Sequence, residues 1–333
     1  MEEPILRVED LRAGFLTPDG VVNAVNGVSL SLRRGETVVI TGESGSGKTS
    51  TGLSILNLLP HPGRIDSGRI YFRGTDLLTL PTEELRRIRG RKIAMVFQDP
   101  ATGLNPVLSV GQQVEETITT HLKISKREAK KRSLEALAQM GLPDPEQVAS
   151  RYPFQLSGGM AQRVMIAIAT ALDPEVLILD EPTSALDVTV QAAILDDLSR
   201  LQKANGTSII LITHDLGIVA QMADEVAVMY AGYIVEYGSV RSMFERPRHP
   251  YTWSLLASRP RWDREGGGPL ASIRGTPPSL IDLPDECPFL PRCPKATTFC
   301  RTAPSPPLLE VGRDHLAACY NLVYHQADQP AGR

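Results

Sequence analysis

Short apolar runs bounded by Gly, Pro or charge recur at Thr37 to Thr41, Ile93 to Phe97, Val176 to Leu179, Ser208 to Ile212 and Val226 to Tyr230, and they read as buried strands. Between several of them lie segments with helical spacing, at Lys48 to Leu59, Arg127 to Met140, Met160 to Leu172 and Val190 to Lys203. This alternation predicts an α/β fold with a largely parallel sheet. Shorter alternating patterns at Ile5 to Val8 and Val25 to Leu32 predict an antiparallel side sheet. From Gln98 to Leu156 there is no core strand pattern, only helical segments separated by Gly and Pro, so a helical subdomain inserted at about residues 99–172 is expected.

The pattern changes after Ser258. Residues 259–333 hold 12 of the 26 prolines and all four cysteines, and their periodicity is poor. Proline removes backbone donors and breaks helices, so a conventional core here calls for a covalent or metal staple. The sequence therefore divides into residues 1–258 and a Cys- and Pro-rich extension over 259–333.

Composition removes several function classes. At 333 residues and 42% hydrophobic, the chain can bury a substantial core. A net charge of −3 offers no basic footprint for nucleic acid. No apolar run approaches the roughly 20 residues that cross a bilayer. The first residues, Met1 to Val8, are acidic and lack the basic-then-apolar order of a secretory signal, so a cytoplasmic protein is expected.

The chemistry is carried by three motifs. Gly42, Glu43, Ser44, Gly45, Ser46, Gly47, Lys48, Thr49 and Ser50 follow a strand pattern and open a helical one, which is the context of a P-loop. Its glycines let successive amides face phosphate oxygens, Lys48 reaches the β and γ phosphates, and Thr49 ligates Mg2+. Second, the apolar run from Val176 ends in two acids, Asp180 and Glu181, a costly arrangement without a cation. Adjacent strand residues point to opposite sides, which gives Asp180 to the Mg2+ shell and Glu181 to the attacking water. Third, Ser157, Gly158 and Gly159 precede a helical pattern, where a capping hydroxyl and exposed glycine amides make a second anion cradle. With a single P-loop in the chain, that second cradle is expected to close over the ATP held by another copy.

Together the P-loop, Leu156 to Gly159, the acidic strand end, Ser184 to Asp187 and His214 resemble the ATP-binding subunit of ABC transporters, over roughly residues 4–255. The resemblance implies a head-to-tail dimer that sandwiches two ATP molecules, formed with a second ABC ATPase subunit, identical or paralogous. It also implies that Gln98 contacts Mg2+ and the attacking water, that Asp187 lies at the dimer interface, and that His214 reads the γ-phosphate. Phe15 is placed against the adenine ring by the same resemblance, with a core role as the bland alternative.

The spacing Cys287-x5-Cys293-x6-Cys300-x18-Cys319 lacks the paired knuckles of structural zinc sites, and leaves an iron–sulfur cluster, zinc or unliganded thiols open. The segments Pro247 to Thr252, Gly275 to Leu280 and Cys287 to Cys293 resemble the carboxy-terminal extension of the oligopeptide and dipeptide importer ATPases, which implies a [4Fe-4S] site on the four cysteines, with Zn2+ as the alternative. Phe154, Gln155 and Glu286 depart from that group's usual residues. The resemblance implies an ATPase that powers peptide import, on the cytoplasmic face of the inner membrane, with two permease subunits and an extracytoplasmic substrate-binding protein. Related importers of nickel or glutathione are the alternative. A soluble ABC ATPase acting on ribosomes or DNA is disfavoured because the chain has one cassette and no heptad insertion.

Overall fold

The computed structural model describes residues 3–184, 186–258 and 273–324. Its strands are β1 (Leu6–Thr17), β2 (Gly20–Leu32), β3 (Thr37–Thr41), β4 (Gly63–Phe72), β5 (Thr75–Asp76), β6 (Ile93–Val96), β7 (Val176–Asp180), β8 (Ser208–Thr213), β9 (Glu225–Tyr230), β10 (Tyr233–Ser239), β11 (Leu309–Gly312) and β12 (His315–Ala317). The chain forms two compact units that interleave along the sequence. The first comprises Met1–Arg7, Ser31–Thr37 and Ile70–Thr213, the second Val8–Leu30, Val38–Arg69 and His214–Arg333.

In the first unit β6, β7 and β8 pair in parallel, with Ile178 aligned to Met95 on one side and to Ile210 on the other. Every residue of β7 and β8 is buried, and such Val- and Ile-rich runs are what a strand covered on both faces requires. The inserted segment is helical, with helices Val110–His121, Lys126–Gln139, Pro145–Ser150 and Gly158–Thr170 packed on one another. Each starts on a polar cap. Ser109, Ser125, Asp144 and Ser157 accept hydrogen bonds from the backbone amides of Gln112, Glu128, Gln147 and Met160. Apolar residues at helical spacing, Val110, Val114 and Ile118 on one helix and Ala129, Ala136 and Leu137 on the next, turn inward.

In the second unit β1 lies between β2 and β4. β3 runs parallel to β9, β10 is antiparallel to β9, and β12 is antiparallel to β10. The side-sheet strands β1 and β2 are longer than their alternating cores at Ile5 to Val8 and Val25 to Leu32 predict. The extension has more of a core than its composition predicts, because β12 joins the sheet and Phe289, Leu290, Ala317 and Ala318 are buried. Phe289 meets Tyr230 and Tyr251 with ring centroids 5.2 and 5.3 Å apart. That aromatic cluster supplies apolar area the proline-rich stretch lacks by itself.

Candidate nucleotide site

The P-loop leaves β3, whose five residues are all buried. Gly42 has φ +152°, and a Cβ there would stand 2.1 Å from the Met229 carbonyl oxygen; at Gly47, φ +100°, it would stand 2.1 Å from that of Ala24. Only glycine fits either place. At Gly45 nothing lies within 4 Å, and Ser44 and Gly45 are exposed, so the turn of the loop is open. Lys48 is 7% exposed, and its Nζ donates to the carbonyl oxygens of Gly42 at 2.8 Å and Glu43 at 2.9 Å. Both neighbouring hydroxyls, Thr41 Oγ1 and Ser46 Oγ, are buried without a hydrogen-bond partner. A buried hydroxyl without a partner is a costly group that an incoming phosphate oxygen satisfies. The following helix, Lys48–Ile55, carries no acid in its first turn, so its positive end is not neutralised locally. The loop residues therefore fit a nucleotide phosphate chain.

The second unit also holds Phe15, His214 and the four cysteines. Phe15 is half-buried and packs on Gly63, where a Cβ would come within 2.7 Å of its ring. His214 is exposed immediately past β8, and the next residue, Asp215, caps the helix Leu216–Met222 by accepting from the Gly217 amide at 2.6 Å. Cys287, Cys293, Cys300 and Cys319 line a single pocket with His249 and Phe289. Burial pushes the Cys287 thiol up to about 11 and the Cys319 thiol up to about 12, with the charges of the other tail thiols adding to both. Among the described residues, no group of three or more His, Cys, Asp or Glu side chains is arranged to hold a metal ion.

In the first unit, Asp180 is the last residue of β7 and is 2% exposed. Glu181 is 9% exposed and has φ +47°, with its amide donating to the Ile212 carbonyl at 2.9 Å. This corrects the strand-alternation argument: Glu181 lies beyond the strand, and a left-handed backbone, rather than the pleat, sets its direction. Non-glycine residues held there store strain and concentrate at functional sites. Gln98, Gly158 and Glu181 line one cavity of about 400 Å3, together with Leu156, Phe154 and Leu186. Ser157 caps the helix Gly158–Thr170 as the sequence predicts, accepting from the Met160 amide at 3.3 Å. Gly159 has no room for a side chain, since a Cβ would come 2.7 Å from Val190 Cγ1. Asp187 caps the helix Val188–Asn205, and its hydrogen bonds from Thr189 and Val190 hold its carboxyl below the usual range.

Sequence reasoning missed Arg292, Tyr230 and Tyr251, which surround Glu43. Arg292 forks onto the Glu43 carboxylate, and the Tyr251 hydroxyl accepts from the Glu43 amide at 2.8 Å. The available signal was an acid inside an anion-binding loop, which demands a cation from elsewhere in the chain.

Comparison with known proteins adds to this geometry. A family model described as ABC transporter matches residues 25–184, and one described as oligopeptide/dipeptide transporter, C-terminal region, matches residues 235–300. The dipeptide transport ATP-binding protein DppD of Bacillus subtilis is 50% identical over 299 residues, covering 90% of this chain and 89% of its own length. The oligopeptide transport ATP-binding protein OppD of Escherichia coli is 48% identical over 321 residues, covering 96% of this chain and 94% of its own. Among solved structures, the dimeric bacterial ABC transporter cassette MJ0796 aligns with TM-score 0.65 and 30% identity, over 71% of this chain and 99% of that one.

Proposed function

This chain belongs to the ATP-binding subunits of ABC transporters, in the oligopeptide and dipeptide group, and on that premise we propose how its residues turn ATP hydrolysis into peptide import. The observation that carries the reading is the P-loop itself, with Lys48 buried on its own loop carbonyls beside the orphaned Ser46 hydroxyl. ATP draws Lys48 from those carbonyls onto the phosphates, the backbone from Gly42 to Ser50 wraps them, and Phe15 faces the adenine. Thr49, Gln98 and Asp180 are the residues that would hold Mg2+, which when bound would supply neutralisation of developing phosphate charge. Glu181 and Gln98 orient the attacking water, Glu181 takes its proton, and His214 contacts the γ-phosphate.

The site is completed by a second ATPase subunit, identical or paralogous, whose Ser157 to Gly159 equivalent caps the nucleotide at its helix terminus. Asp187 lies at that interface. In this reading two permease subunits form the passage, with this chain peripheral at the cytoplasmic face and a substrate-binding protein outside; no described helix is long and apolar enough to cross a membrane. Residues 1–258 form the ATP-binding domain and 259–333 the extension. Dipeptides and oligopeptides are the cargo this reading favours over nickel chelates or glutathione.

The four tail cysteines hold a [4Fe-4S] cluster in this reading. They share one pocket, and the thiols at Cys287, Cys293 and Cys319 are all pushed up by burial, a cost that iron offsets. When bound, the cluster supplies four covalent staples to a proline-rich segment. Absorption and paramagnetic resonance spectra of anaerobically purified protein test this; a colourless, zinc-containing preparation defeats it. For the catalytic reading, Glu181→Gln should bind ATP as wild type does while hydrolysis falls about a hundredfold or more. Wild-type turnover in that variant removes Glu181 from its role.

A further inference from the structure

Every polar group of Glu43 except one face of its carboxylate is held by something identifiable in the second unit. Its amide donates to the Tyr251 hydroxyl at 2.8 Å, and its carbonyl oxygen accepts from Lys48 Nζ at 2.9 Å and from the Ser46 amide at 3.2 Å. Its carboxylate takes both prongs of Arg292, with Nη1 at 2.6 Å from Oε2 and Nη2 at 3.1 Å from Oε1. The Arg292 side chain is 5% exposed, and it is fixed further by the Tyr230 hydroxyl at 3.2 Å and the Arg274 carbonyl at 2.9 Å. Arginine is the side chain suited to this: its planar fork fixes a carboxylate in orientation as well as position.

Arg292 belongs to the cysteine-bearing extension. It ends the short helical turn Leu290–Arg292, whose first amide donates to the Cys287 carbonyl at 2.9 Å, and Cys293 follows it directly. The turn between two of the four cysteines thus reaches a P-loop residue, and that residue's carbonyl oxygen is one of the two on which Lys48 rests. Charge and geometry act in the same direction. Without Arg292, the Glu43 carboxylate becomes an unpaired, three-quarters-buried anion within the loop that must accept a triphosphate, which costs desolvation and repels the ligand.

We propose that Arg292, acting through Glu43, is a positioning residue of the P-loop, which couples the arrangement of the cysteine-bearing turn to nucleotide affinity. The inference rests on the P-loop being the ATP site and extends it to a second, distant segment. By reciprocity, bound nucleotide also favours the turn's present arrangement.

The test is a double-mutant cycle read by equilibrium binding of a fluorescent ATP analogue to the purified full chain, with circular dichroism to establish folding. Arg292→Gln should weaken binding roughly tenfold or more, about 1.4 kcal/mol per tenfold. In a Glu43→Gln background, the same change should cost about twofold or less, because the stranded carboxylate is gone. Arg292→Lys, which keeps the charge and loses the fork, should fall between wild type and Arg292→Gln. If Arg292→Gln does not fold, the cycle is run with Arg292→Lys, and its loss should likewise shrink beside Glu43→Gln. Unchanged affinity in the Arg292 variants, or an equal loss in both backgrounds, overturns the coupling and leaves Arg292 a packing residue of the extension. Failure of the wild-type chain to bind the analogue removes the ATP reading itself and the inference with it.

Discussion

At the scale of single residues, three unusual groups fall among the residues that the proposed chemistry uses. Glu181 sits in the left-handed region, Lys48 is buried, and Ser46 has an orphaned hydroxyl. His249 is unusual for a different reason. Its Nδ1 accepts from the Tyr251 amide at 3.0 Å, and burial pulls its pKa down from 6.5 to about 4 against the opposing pulls of Glu236 and the Ala318 backbone. The neutral ring is therefore the folded form. As pH falls below 6.5, the unfolded chain takes up a proton that the folded site refuses. Stability from this residue is complete above that pH and is lost toward pH 4, by up to about 3 kcal/mol. Thermal melts at about pH 7.5 and about pH 5 should show a smaller acid loss in His249→Asn than in wild type. An equal loss in the two proteins assigns the acid sensitivity to other groups. None of this was visible in the sequence, where His249 stands among prolines with no pattern to mark its burial.

At the scale of elements, legibility follows burial. β3, β7 and β8 were readable because strands covered on both faces are continuous apolar runs. The helical insertion was readable from its caps and spacing. β10 was not, because Glu236 stands in its middle with no exposed surface, an apparent break in the pattern. Its carboxylate is satisfied by the amides of Arg248 and His249, at 2.6 and 2.9 Å, and by His315 Nε2 at 2.7 Å. Such a network is assembled from three segments and cannot be read from any one. The same holds for the extension, whose attachment rests on Phe289 against Tyr230 and Tyr251. Phe289→Ala should destabilise the protein by about 3–5 kcal/mol in denaturant titration, since it opens a cavity in a fully buried aromatic cluster. A loss under about 1 kcal/mol contradicts that anchoring role. In the candidate site, the glycine turn of the P-loop and the Ser157 cap were legible, but the Arg292 fork onto Glu43 spans 249 positions and only the fold reveals it.

At the scale of the whole molecule, the central claim is that this chain converts ATP hydrolysis into peptide movement, and it needs partners to do so. In the proposed reading each P-loop is completed by the signature helix of a second subunit and other chains form the passage; no described helix is long and apolar enough to cross a membrane. The claim is tested most directly in proteoliposomes containing this chain, its partner ATPase and the permease subunits purified with it, with the cognate binding protein added on the opposite side. Uptake of a labelled di- or oligopeptide should require ATP on this chain's side, rise with ATP hydrolysis, and vanish with Lys48→Ala. ATP hydrolysis that the loaded binding protein does not stimulate, with no peptide uptake, would contradict it.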